Sequence, residues 1–64
     1  MTLQERIKAL IDVWENAAIV YAQTLEEDKR YGDYGGIQHC EHMIQFSRKK
    51  VEELESELRQ IRSA

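Results

Sequence analysis

Lys29-Arg30-Tyr31-Gly32-Asp33-Tyr34-Gly35-Gly36 decides the fold, because it holds all three glycines of a 64-residue chain that has no proline. Those two residue types are the strong helix breakers, so the segments on either side carry none. Gly32 can adopt the left-handed conformation that ends a helix, and Asp33 can cap the next one. Lys29 and Arg30 place positive charge where the dipole of a closing helix favours it. The spacing predicts a helix over about 3–30, a loop over about 31–36 and a second helix over about 36–62, a connection of ordinary length for antiparallel helices.

Upstream of the break, Thr2-Leu3-Gln4-Glu5 matches a capping box, in which Thr2 accepts from the amide of Glu5 and the Glu5 side chain reaches back to the amide of Thr2. Leu3, Ile7, Leu10, Ile11, Trp14, Ala18, Tyr21 and Leu25 recur at threes and fours and define one apolar face. At about 100° per residue that stripe covers roughly 140°. Val13 and Val20 lie beside it and widen it to roughly half the circumference, and Ile19 falls outside even that. One partner helix covers only a narrow stripe, so the excess predicts a second contact surface on the first helix.

Downstream, Ile37, Cys40, Ile44, Ser47, Val51, Leu54, Leu58 and Ile61 alternate by three and four without a fault. This is a heptad seam with Ile37, Ile44, Val51 and Leu58 at a, and Cys40, Ser47, Leu54 and Ile61 at d. Flanking charges, with Arg48/Glu52, Lys49/Glu53 and Glu55/Arg59 at i,i+4, read as a solvated outer face. Folding back at the glycines sets Ala17 and Ala18 level with Ser47 and Arg48. Ala17, Ala18, Ala22 and Ser47 narrow the middle, so the helices approach closely there or Trp14, Tyr21 or Phe46 fills the gap. The Ser47 hydroxyl can bond to a carbonyl one turn earlier, or fix register as a polar seam residue.

Composition bounds the function. Twelve acids against nine bases give a net charge of −3. The interspersed signs argue against a nucleic-acid partner, which calls for a basic face. Lys29, Arg30, Arg48, Lys49 and Lys50 are the cations that could gather in an oligomer, and Glu52 and Glu53 flank the one basic triplet. No apolar run approaches the ~20 residues of a membrane span. The first residues lack a signal-peptide pattern, so the expected location is cytoplasmic. A lone cysteine, Cys40, forms no intrachain disulfide and fits a reducing compartment. A chain this short buries only about 60% of its unfolded surface and ordinarily needs a staple, which leaves a metal or self-association.

The candidate sites are few. His39 and His42 are three apart on one helix, a spacing that can present two imidazoles to a metal, with Asp28 on the facing end of the first helix as a third ligand. Cys40 belongs to the apolar seam, roughly 100° from His39. The plainer reading is a pair of exposed histidines near a helix start. Cys40 sits in the first turns of a helix, where a thiol can be activated, or is simply a small buried residue. Tyr31 and Tyr34 form an aromatic binding tip at the loop, or fold back to cover the open end of the bundle. The glycines make no phosphate cradle, since no Gly-x-Gly-x-x-Gly or Gly-Lys-Ser/Thr follows. Carboxylates lie on solvated faces, where nothing would tune them for acid–base catalysis.

These features converge on an all-α, antiparallel helical hairpin forming a single domain over residues 1–64 and pairing as a homodimer into a four-helix bundle. The expected oligomer interface comprises Trp14, Val13, Ile19, Val20, Ile44, Val51, Leu54 and Leu58. As an architecture only, it resembles small dimeric bundles that regulate or adapt other macromolecules. The expected function is a non-enzymatic adapter, regulator or inhibitor that binds another protein and needs no cofactor. A metal-binding bundle built on His39 and His42 is the first alternative, and a nucleic-acid-binding regulator the second.

Overall fold

A computed structural model describes residues 1–63. Ala64, the last residue of the single domain expected from the sequence, lies outside the described residues. Helix α1 runs Leu3–Tyr31 and helix α2 Tyr34–Ser63, and the two pack against each other as a hairpin. Thr2 is extended at φ −77°, ψ 164°, and its Oγ1 accepts from the Glu5 amide at 3.1 Å, as a capping threonine does. The reciprocal half of the box differs from expectation: the Thr2 hydroxyl donates to Glu5 Oε1 at 3.0 Å.

The connection is shorter than the glycine cluster suggests. Gly32 alone takes the left-handed conformation, at φ 69°. Its amide donates to the Lys29 carbonyl at 3.3 Å, and the Asp33 amide donates to that of Asp28 at 2.9 Å. These two bonds close α1 as a Schellman motif, satisfying carbonyls that a helix end otherwise leaves orphaned. Asp33 then caps α2, its Oδ1 accepting from the Gly36 amide at 3.1 Å. Tyr34, Gly35 and Gly36 therefore begin a helix instead of ending a loop. Gly36 lies close against two carboxylates: a Cβ there would stand 2.5 Å from Asp28 Oδ2 and 2.8 Å from Asp33 Oδ2, so both side chains would have to move.

The seam of α2 is buried as its spacing requires. Cys40, Ile44, Ser47 and Leu58 are buried, and Ile37, Val51, Leu54 and Ile61 are half-buried. On α1, Ile7 is buried and Ile11, Trp14, Ala18, Tyr21 and Leu25 are half-buried. Leu3 and Leu10, expected on the same face, are exposed, as is Ala22. They sit toward the margins of a stripe that a single neighbouring helix is too narrow to cover. Across the narrow middle, Trp14 meets Phe46 edge-to-face with centroids 5.5 Å apart, so an aromatic pair bridges the helices beside the small residues.

Ser47 is 0% exposed, and its Oγ has no hydrogen-bond partner among the described residues. The back-bond to a carbonyl one turn earlier is not made. A buried hydroxyl without a partner costs about 1–3 kcal/mol in lost hydration. Ser47→Ala is expected to stabilise the chain by about 1 kcal/mol, read as a raised urea midpoint at unchanged slope. A lowered midpoint would mean that the hydroxyl is bonded in solution. Gly36→Ala should lower the midpoint, because its methyl displaces the Asp33 carboxylate that caps α2 and the Asp28 carboxylate that accepts from Cys40, whereas Gly35→Ala, whose methyl meets only Asp33 Oδ1 at 3.8 Å, should not.

Candidate functional site

The end of the hairpin nearest the turn holds the polar candidates. Asp28, in the last turns of α1, faces Cys40 on α2, and the thiol donates to its Oδ2 at 3.5 Å. Cys40 is buried. Burial, the bond to Asp28 and the negative charges of Asp28 and Asp33 all push the thiol pKa above its ordinary value. Position in the first turns of α2 does not outweigh them, so Cys40 is a small seam residue held protonated, the opposite of an activated thiol.

His39 and His42 are both exposed. The His39 ring stands edge-on to Tyr21 with centroids 6.0 Å apart. His42 lines a separate surface groove of about 240 Å³ with Gln45, Phe46 and Lys49. Asp28, expected as their third ligand, is engaged by Cys40. Among the described residues no group of three or more His, Cys, Asp or Glu side chains converges to hold a metal. Of the basic residues, Lys29 pairs with Glu26 at 3.8 Å and Lys50 with Glu53 at 3.7 Å, and Lys50 also stands over the Phe46 ring at 5.5 Å. Tyr31 and Tyr34 project at the turn, 81% and 78% exposed, and do not fold back over the hairpin.

The apolar candidates divide into two groups. Ile44 and Leu58, expected at an oligomer interface, are buried in the hairpin, with Trp14, Val51 and Leu54 half-buried. Val13, Ile19 and Val20 remain open at 58%, 57% and 57% exposure. Ile19 lies on one side of the hairpin, in a groove of about 390 Å³ lined also by Glu15, Ala18, Arg48, Val51 and Glu52. Helix periodicity turns Val13 and Val20 to the other side, where Trp14 meets Phe46.

Sequence reasoning missed how far this second side extends. Leu10, Val13, Ala17, Val20 and Thr24 alternate by three and four, which makes them a second seam on α1. Leu10, read from the sequence as part of the inward stripe, is 47% exposed and belongs here. Thr24 donates its hydroxyl to the Val20 carbonyl at 3.1 Å, so its polar group is satisfied within its own helix. By periodicity the second seam is turned about 90° from the one that faces α2. The signal was present in the spacing and was hidden because Leu10 fits the edge of either stripe.

No helix among the described residues is long and apolar enough to cross a membrane. No protein-family model, curated protein or solved structure matches the chain.

The Cys40 environment gives a signed expectation. A thiol whose folded pKa is raised contributes stability below its unfolded pKa, and that stability is lost as pH rises through the folded pKa. Urea midpoints of the native chain should therefore fall more steeply through the alkaline range than those of Cys40→Ala. Parallel pH profiles would show that Cys40 is not under this strain.

Proposed function

We propose that the chain is a non-catalytic interaction protein that works as a homo-oligomeric helical bundle, binding another protein as an adapter, regulator or inhibitor. The observation that carries this reading is surplus surface. The hairpin exposes 4966 Å², whereas a compact folded monomer of its mass exposes roughly 4,300 Å². Its radius of gyration is 14.7 Å, against about 10.7 Å for a compact domain of this length.

Shape explains the surplus. The principal extents are 49 × 17 × 11 Å, those of a single layer of two helices. Stable domains bury their apolar faces between at least two layers, so one layer leaves both broad sides to solvent. Among the described residues the only buried hydrophobic ones are Ile7, Cys40, Ile44 and Leu58, a small core for any independent fold. Stacking a second layer removes the deficit without new covalent or metal staples. The acids and bases spread over the outer faces suit a surface that meets another protein.

Equilibrium sedimentation at micromolar concentration tests the reading. The expected mass is at least twice the 7.6 kDa of one chain. A stable, cooperatively folded monomer under those conditions would refute it.

A further inference from the structure

We propose that a second copy of the chain docks along the outer seam of α1, with the two α1 helices antiparallel and crossing near Ala17. The proposal rests on the self-association read above and adds the face and the direction. Three observations support it.

The first is area. The surplus of about 700 Å² is close to the roughly 800 Å² that each partner buries in an interface of standard size. One further copy docked through an interface of standard size would remove a surplus of this order.

The second is the kind of surface. Of the two open sides, the one carrying Leu10, Val13, Ala17 and Val20 has a heptad run on α1 and the Trp14–Phe46 pair between the helices. Apolar aromatics at the centre of a patch are characteristic of interface cores. Both sides are bordered by charge, the Ile19 side by Glu15, Arg48 and Glu52 and the other by Lys49 and Lys50, but on the Ile19 side Ile19 has no apolar run along α1 beside it. A seam turned about 90° from the first also suits a helix that has neighbours on two sides of a four-helix bundle.

The third is charge, and it sets direction. The outer seam continues at the same spacing to Arg6 on one end and Glu27 on the other, both exposed. Parallel docking would set each residue against its own copy, so that like charges meet at both ends. Antiparallel docking brings Arg6 beside Glu27 of the partner subunit at each end and also opposes the helix dipoles. Ala17 and Thr24 are small, and Ala17 lies at the middle of the run, so the helices can approach closely at the crossing.

Cross-linking in a Cys40→Ala background tests direction. Crossing near Ala17 sets Leu10 opposite Thr24 of the partner and separates the two Leu10 positions by about 20 Å along the axis. A disulfide spans Cα atoms no more than about 7 Å apart. Chains carrying Leu10→Cys, mixed with chains carrying Thr24→Cys and oxidised, should yield the mixed cross-linked dimer, and Leu10→Cys alone should yield none. Sedimentation of Val20→Glu and Ile19→Glu tests the face. Val20→Glu should weaken dimerisation by at least about a hundredfold, since it would bury two unpaired charges, while Ile19→Glu stays dimeric. Self-cross-linking of Leu10→Cys, absence of the mixed cross-link, or a dimer that survives Val20→Glu would overturn the proposal. A native chain that sediments as a monomer would instead overturn the reading beneath it.

Discussion

Two helices packed side by side bury only the stripe that each turns toward the other, and this constraint governs the molecule. Helix α2 meets it almost completely. Most of its apolar residues lie on one narrow seam, from Ile37 to Ile61, with Tyr34 and Phe46 the exposed apolar residues outside it. Helix α1 does not meet it. Once Ile7, Ile11, Trp14, Ala18, Tyr21 and Leu25 are committed to α2, Leu10, Val13, Ile19 and Val20 are left in water. The asymmetry between the helices leaves most of the exposed aliphatic surface on α1.

Much of this was legible in the sequence because helical periodicity is a geometric rule. The alternation through Cys40, Ile44, Ser47 and Leu58 admits one helix face, and that is the face buried. The surplus on α1 followed from the same arithmetic applied to Val13, Val20 and Ile19. Boundaries were less legible. Gly35 and Gly36 read as loop because glycine is a poor helix residue, yet the aspartate before them supplies a cap and helix first turns tolerate glycine. Hydrogen bonding decided the end point, and composition does not encode it. Leu10 was ambiguous for a different reason. It lies where two stripes of one helix meet, and only the position of α2 assigns it to the outer one.

The polar candidates show why spacing alone is weak evidence for a site. His39 and His42 share a helix flank, but a ligand set needs a third group from elsewhere, and Asp28 is turned to Cys40. The carboxylate that would have completed a metal site instead holds a thiol protonated inside the seam. The same residue stands within reach of any Cβ at position 36, so the turn, the cap and the first buried layer of α2 form one connected unit. His39 has a contact of its own, against Tyr21, which ties the histidine flank to α1 as packing.

Ser47 bears on how closely the two helices of the hairpin approach. A fully buried, unpaired hydroxyl in the middle of a minimal core is a cost that an alanine of nearly the same size would avoid. Its small side chain lies in the seam between the helices, and the Trp14–Phe46 pair lies between them toward one side. A larger apolar residue at 47 would push the helices apart and spread that pair. It would also tilt α1 relative to α2 and carry the outer seam with it. On the proposed arrangement the small residues at this level set two spacings at once, α1 to α2 through Ser47 and α1 to its counterpart through Ala17. Size at position 47 is then constrained by the whole bundle, which accounts for a small residue there but not for a polar one.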